Sequence, residues 1–287
     1  MPHITCLRNP SVGLESDYEL KPTTDPKVVY IAGGGVAGME AATLLHRRGH
    51  HPVLFESTNE LGGQFLLAGM APRKAEMRQA AIAMGKTLLK EGVEVRLHDR
   101  LTPDRLDGAD ALIISTGATP IMPSFPGRDL PGVVDSHDVL TQAVFPTGRV
   151  VVIGGGLVGL EVAEYLVDKV DSLVVLEMLG AIGEDIGQIR RISVLEELGR
   201  SGVDLRTGAR CEEITPDVVV YEQDGQTREL PYDTVVIAIG ARSRPTEPFE
   251  KRAGELGIPC WVIGDAKQAR RAVQAIKEAA DAALAID

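Results

Sequence analysis

Glycines at positions 33, 35 and 38 follow the apolar run Val28-Val29-Tyr30-Ile31-Ala32 and precede a helix-periodic stretch. In a strand–turn–helix setting this G-x-G-x-x-G spacing suits a pyrophosphate. Gly33 permits the tight turn, Gly35 lets the backbone approach the anion, and Gly38 lets the helix pack closely on the strand. The first helical amides, at Val36 and Ala37, stand at the positive end of the helix dipole and favour negative charge. The next apolar run, Pro52-Val53-Leu54-Phe55, ends on Glu56, 18 residues beyond Gly38. A carboxylate there can accept hydrogen bonds from an adenosine ribose.

The same device recurs. Arg149-Val150-Val151-Val152-Ile153 leads into Gly154, Gly156 and Gly159, with Leu157 and Val158 opening the helix. Leu173-Val174-Val175-Leu176 then ends on Glu177, again 18 residues past the third glycine. One such fingerprint is weak; its repetition at equal spacing predicts two dinucleotide sites. A carboxylate repels a 2′-phosphate, and Met178, Leu179 and Gly180 follow Glu177 with no early arginine or lysine, so NADH is favoured over NADPH at the second site. Arg190 and Arg191 would weaken that preference if their helix folds back; otherwise they form a solvated helix face.

These sites need parallel strands and helices to hold them. The pattern predicts strands over 27–32, 52–56, 93–96 and 111–114, and helices over 36–48 and 73–90. The strand Ala111-Leu112-Ile113-Ile114 runs into Ser115-Thr116-Gly117, a junction with no room for large side chains. Pro120, Pro123, Pro126 and Pro131 mark a linker. The second unit is read as strands over 149–153 and 173–176, helices over 157–168 and 186–200, short strands around 204–230, and a strand ending at Ile239-Gly240. A last strand, Cys260-Trp261-Val262-Ile263, precedes Gly264-Asp265 and an alanine-rich helix over 270–286. The fold class is α/β, with two Rossmann-like domains, the second inserted into the first. The expected boundaries are an extended arm over 1–26, a first domain over 27–117 plus 245–287, and a second over 118–244. His46 to His51 read as an exposed basic helix end.

Composition excludes several classes. A formal charge of −11 argues against nucleic acid or an anionic membrane as partner, and no apolar run reaches the roughly 20 residues of a membrane span. Three scattered cysteines make no disulfide framework, and no Cys-x-x-Cys accompanies the first glycine turn. The N-terminus lacks the basic-then-apolar order of a signal peptide, so a cytoplasmic setting is expected.

Together, the two fingerprints, Ser115-Thr116-Gly117, Ile239-Gly240 and Gly264-Asp265 resemble the two-dinucleotide-fold flavoproteins. Thr5-Cys6-Leu7-Arg8-Asn9-Pro10 and Leu61-Gly62-Gly63-Gln64 narrow the likeness to the C-terminal half of the dienoyl-CoA reductase, enoate reductase and trimethylamine dehydrogenase family. In that family a TIM barrel carries FMN and a [4Fe–4S] cluster; no barrel is present here. The resemblance implies FAD on Gly33, Gly35 and Gly38, with Glu56 on the adenosine ribose, and Gly63 and Gln64 along the pyrophosphate and flavin. It implies Asp265 on the ribityl chain and the helix start at Ala272 and Val273 facing the flavin N1–O2 edge. Gly62, Thr116, Gly117 and Gly264 belong to the same FAD set. NAD(H) would lie on Gly154, Gly156 and Gly159, with Glu177 on its ribose and Gly240 closing that site. Cys6 matches the fourth cluster cysteine of the family, but one thiolate cannot hold a cluster. It is a relic of a longer chain, an iron–sulfur ligand completed by a partner, or an inert thiol.

The implied function is hydride transfer from NADH to FAD, with electrons passed to a TIM-barrel partner domain or subunit bearing FMN and the cluster. No catalytic side chain is needed, because stacking and orientation carry the step. The alternatives are a structural module that holds ADP or NAD without turnover, and a free-standing NADH oxidase or ferredoxin reductase.

Overall fold

The computed structural model describes residues 5–287; the first four residues of the expected arm lie outside them. Residues 5–26 form turns without helix or strand. Regular structure begins with β1 (Val28–Ala32), α1 (Val36–Arg48), β2 (His51–Phe55), the short α2 (Gln64–Ala68), α3 (Ala75–Lys90), β3 (Glu94–Arg96) and β4 (Ala111–Ile114). It continues through β5 (Ala118–Pro120), β6 (Val133–Asp135), α4 (Ser136–Leu140), β7 (Arg149–Ile153), α5 (Leu157–Leu166), β8 (Ser172–Leu176) and α6 (Gln188–Arg200). Then come β9 (Asp204–Arg206), β10 (Arg210–Ile214), β11 (Val218–Gln223), β12 (Gln226–Pro231) and β13 (Thr234–Ile237). The chain closes with β14 (Ala241–Ser243), α7 (Glu247–Leu256), β15 (Cys260–Val262) and α8 (Ala272–Ala285). Among the described residues no helix is long and apolar enough to cross a membrane.

The chain divides into two compact units. The first comprises the chain up to Gly69, Glu76–Thr119 and Arg242–Asp287; the second comprises Met70–Ala75 and Pro120–Ala241.

In the first unit a five-stranded sheet runs in the order β15-β4-β1-β2-β3, with every pair parallel. Parallel strands are covered on both faces and therefore read as continuous apolar runs. All four residues of β4 are buried accordingly. One face packs Ile31, Leu54 and Ile113 against Met39 and Leu45 of α1, Leu88 of α3, and Ala275, Ala279 and Ala283 of α8. The alanine stripe keeps α8 thin enough to lie against α1. The other face packs Phe55, Leu112 and Ile114 against Leu106 and Phe249. The helix carrying Phe249, α7, was absent from the sequence expectation.

The second unit repeats the plan with the order β6-β13-β7-β8-β9, again parallel throughout. An antiparallel meander, β10-β11-β12, supplies Ile214, Val219 and Tyr221 to the core formed with Val151, Ile153, Val235 and Ile237. Phe125 and Leu130 pack on the same core. The proline-marked stretch is thus packed structure of this unit, not a bare linker.

The histidine-rich end of α1 also departs from expectation. His50 is only 2% exposed; its Nδ1 accepts the Lys27 N–H at 3.3 Å, and burial holds its pKa below the usual histidine range. Arg48 is buried as well. Its Nη1 donates to the Ala283 and Ile286 carbonyls at 2.5 and 2.6 Å, and its Nε to the Lys21 carbonyl at 3.2 Å. One guanidinium thereby satisfies orphan carbonyls at the end of α8 and ties down the N-terminal arm. Arg48→Met keeps the apolar stem and removes the donors. It should cost about 2 kcal/mol, seen as a fall of roughly 4–8 °C in apparent melting temperature; an unchanged melt would show that the carbonyls find other partners.

Candidate dinucleotide sites

The first glycine turn is built from contacts that no larger residue could make. Gly33 has φ +110°, and a Cβ there would strike the Ser115 carbonyl. On Gly38 a Cβ would strike the Gly33 carbonyl oxygen and lie 2.7 Å from Ser115 Oγ. That hydroxyl sits 3.0 and 2.9 Å from the Ala32 and Gly33 carbonyl oxygens, donating across them. Gly35 differs: a Cβ there meets nothing within 4 Å among the described residues. The open space lies at the N-terminus of α1, where free amides and the dipole attract an anion.

Glu56 is 8% exposed and is no solvated strand end. Its Oε2 accepts the Gly34 N–H at 2.8 Å and its Oε1 the Thr58 N–H at 2.7 Å. The other expected residues of this set gather around the same end of the sheet. Gly62 donates its N–H to the Gly34 carbonyl at 2.8 Å, and a Cβ on Gly63 would come 3.2 Å from Gly35 Cα. Gln64 Nε2 donates to the Ala118 carbonyl at 3.2 Å, beside Thr116 and Gly117. Thr116 Oγ1 is buried and finds no partner among the described residues. A Cβ on Gly264 would lie 3.1 Å from the Ala37 Cβ, which brings Asp265 against the start of α1. Asp265 Oδ1 accepts the Arg270 N–H at 3.1 Å; burial pushes its carboxyl up, opposed by Arg270. Ala272, followed by Val273 in the first turn of α8, packs with Val36, Phe65 and Leu66.

Leu7 joins that apolar cluster and so anchors the segment holding Cys6, a half-buried free thiol. No group of three or more His, Cys, Asp or Glu positioned for a metal occurs among the described residues. Burial raises the Cys211 thiol to about 12 and the Cys260 thiol to about 11, so neither is a thiolate nucleophile at neutral pH.

The second turn reproduces the first almost atom for atom. A Cβ on Gly154 would strike the Ala238 carbonyl, and one on Gly159 the Gly154 carbonyl. Glu177, 8% exposed, accepts the Gly155 N–H at 2.7 Å on Oε2 and the Leu179 N–H at 2.8 Å on Oε1. Gly240 accepts the Ile121 N–H at 2.9 Å. The expected solvated face of α6 is not what forms. Arg190 Nη2 binds both Glu164 oxygens at 2.8 and 2.6 Å, and Arg191 Nε donates to the Ile182 carbonyl at 2.6 Å. Both guanidiniums are committed inside this unit.

Two features of the second unit escaped the sequence expectation. Glu161, 5% exposed, pairs with Lys74; burial raises its carboxyl and the ammonium opposes that. An acid within the most apolar run of the helix Leu157–Leu166, between Leu160 and Val162, is the available signal. The other is Asp185, whose two oxygens each lie 3.0 Å from the Leu157 N at the head of α5.

Residues 27–266 match the family described as pyridine nucleotide-disulphide oxidoreductase. Bilirubin reductase of Mediterraneibacter gnavus is 35% identical over 268 residues, 92% of this chain and 41% of the relative. Cinnamate reductase of Clostridium sporogenes is 31% identical over 287 residues, 98% of this chain and 42% of the relative. Among solved structures, a 2-naphthoyl-CoA reductase complex with 2-naphthoyl-CoA superposes with a TM-score of 0.87 at 28% identity, over 98% of this chain and 43% of that one. The chain thus spans less than half the length of these relatives.

The glycine contacts make a testable contrast. With bound small molecules removed, Gly38→Ala and Gly159→Ala should each lower the apparent melting temperature by several degrees, since backbone carbonyls must move. Gly35→Ala should melt like the parent chain. Equal melting of all three variants would contradict the packing described.

Proposed function

The chain belongs to the pyridine nucleotide-disulphide oxidoreductase family, and from that premise we propose that it is an NADH-dependent flavoprotein reductase module. In this reading the first unit holds FAD, the second holds NADH, and electrons leave to a TIM-barrel partner domain or subunit bearing FMN and an iron–sulfur cluster. The observation that carries it is the first cradle: open at Gly35, with the buried Thr116 hydroxyl lacking a partner among the described residues. An orphaned buried hydroxyl costs about 1–3 kcal/mol, which a polar ligand would recover.

Bound FAD and NADH supply the redox chemistry; the chain supplies position and charge. The amides of Val36 and Ala37, reached past Gly33, Gly35 and Gly38, hold the FAD pyrophosphate. Glu56 keeps lone pairs for a ribose after binding the turn, and Gly62, Gly63 and Gln64 line the approach. Thr116, Gly117, Gly264 and Asp265 hold the ribityl side. The first amides of α8, at Ala272 and Val273, stabilise negative charge at the flavin N1–O2 edge. Leu157 and Val158, between Gly156 and Gly159, offer the amides for the NADH pyrophosphate, and Glu177 faces its ribose. Arg190 is bound to Glu164 and Arg191 through its Nε to the Ile182 carbonyl rather than turned to a 2′-phosphate beside Glu177, which supports NADH over NADPH.

The partner rests on two supports. The segment Cys6-Leu7-Arg8-Asn9-Pro10 resembles a cluster-binding stretch, and more than half of each relative above lies outside the matched region. Cys6 would then be one ligand of a cluster completed by that partner.

The purified chain should be yellow, and anaerobic NADH should bleach its flavin bands. NADPH should bind at least about tenfold more weakly, a difference of roughly 1.4 kcal/mol, and Gly35→Ala should lose flavin while keeping its fold. A colourless protein that takes up no added FAD would overturn the reading, leaving a passive nucleotide holder. Sustained NADH consumption with oxygen alone would replace the partner with a free-standing oxidase.

A further inference from the structure

The two cradles share a fingerprint but not a state. At Gly35 a built Cβ meets nothing within 4 Å, whereas at Gly156 it meets Asp185 Oδ2 at 3.2 Å and Oδ1 at 3.6 Å. The same carboxylate takes the Leu157 N–H, with both oxygens 3.0 Å away. Leu157 opens a helix of 10 residues, so its amide and the dipole behind it form the anion position of the second turn. A side chain of the protein already stands where a dinucleotide phosphate would go.

From this we infer that Asp185 is a built-in competitor for the pyrophosphate of the second-cradle ligand. The inference rests on the NADH reading of that cradle. Asp185 belongs to the segment between Glu177 and α6, which is tethered just before it. Gly183 donates its N–H to the Gly155 carbonyl at 2.8 Å, and Arg191 holds the Ile182 carbonyl at 2.6 Å. Past that tether the segment reaches Gly187, where a Cβ would meet nothing within 4 Å. The Ile186 N–H donates to the Gly183 carbonyl at 3.1 Å and the Arg191 N–H to the Gly187 carbonyl at 3.0 Å. These bonds hold the backbone on either side, so the displacement is a turn of the Asp185 side chain that leaves the Gly155 contact and the Glu177 carboxylate in place. A phosphate and a carboxylate cannot share one amide without repulsion, so the dinucleotide must displace Asp185 to bind. The consequence is weakened affinity and faster release for ligands bearing the diphosphate, and no effect on ligands without it. The first cradle, lacking such a group at Gly35, retains its ligand more tightly.

The test uses Asp185→Asn, which removes the charge and keeps an acceptor, and Asp185→Gly, which removes both. The flavin-loaded chain is titrated calorimetrically with ADP-ribose, which has the diphosphate and cannot be turned over, and with adenosine, which has no phosphate. Both variants should bind ADP-ribose about tenfold more tightly than the parent, with unchanged flavin content and unchanged adenosine affinity. Parent-like or weaker ADP-ribose binding by both variants would overturn the inference while leaving the NADH reading intact. Absence of ADP-ribose binding by all three proteins would overturn the NADH reading, and the competitor with it. If the variants do not fold, hydrogen exchange on the parent chain decides: saturating ADP-ribose should accelerate exchange across residues 184–187 as Asp185 is expelled. Unchanged or slower exchange there would overturn the inference.

Discussion

A buried carboxylate bound to the amide of its own glycine turn is the interaction on which both units depend. Glu56 reaches back to the Gly34 N–H at 2.8 Å, and Glu177 to the Gly155 N–H at 2.7 Å. Each acid is buried and takes a further backbone donor, Glu56 from Thr58 at 2.7 Å and Glu177 from Leu179 at 2.8 Å, and the Ser57 hydroxyl adds a bond to Glu56 at 3.2 Å. Charge-assisted bonds of this kind are about twice as strong as neutral ones. They fix the turn between the first two parallel strands, and the turn fixes the direction of the helix that follows. The amides at the start of α1 and of α5 inherit their aim from that geometry.

The same interaction marks what could be read from the sequence. Spacing placed Glu56 and Glu177 at strand ends, because an apolar run that stops on an acid has one natural register against its neighbour. That each acid also binds the turn depends on β1 and β2, or β7 and β8, pairing in the register observed, and no local pattern states it. The close approach at Gly38 and Gly159 was legible for a simpler reason: only glycine fits where a carbonyl oxygen lies against the helix. Asp185 was illegible because its partner, Leu157, is 28 residues away and nothing in its own segment is unusual.

Elsewhere the differences between sequence pattern and structure share one cause: polar or proline-rich stretches carry the pattern of surface even where they are buried. Arg48 and His50 are buried because the end of α8 needs donors there, a fact held by carbonyls some 235 residues distant. The 120–131 segment carries Phe125 and Leu130 into a core although its prolines forbid a helix. The α7 helix has charged residues over most of its surface, and only Phe249 and Ala253 are buried. Short helices that bury two residues leave little periodicity to find.

The insertion of one unit into the other is cheap for a reason visible inside each. In the first unit Arg244 donates its N–H to the Gly117 carbonyl at 3.0 Å; in the second, Ile121 donates to the Gly240 carbonyl at 2.9 Å. Chain exit and return are one hydrogen bond apart on both, so neither sheet is strained by the long excursion. The cost falls on the edge strand. After β4 the first sheet must wait for β15 to fill its edge, whereas the second takes β6, laid down before its glycine turn, for the equivalent place. Both joins lie beyond the carboxyl ends of the strands, the crevice where open α/β sheets bind ligands. A chain that inserts its second unit at such a join therefore gains a second glycine turn and a second helix N-terminus without giving up a strand of the first.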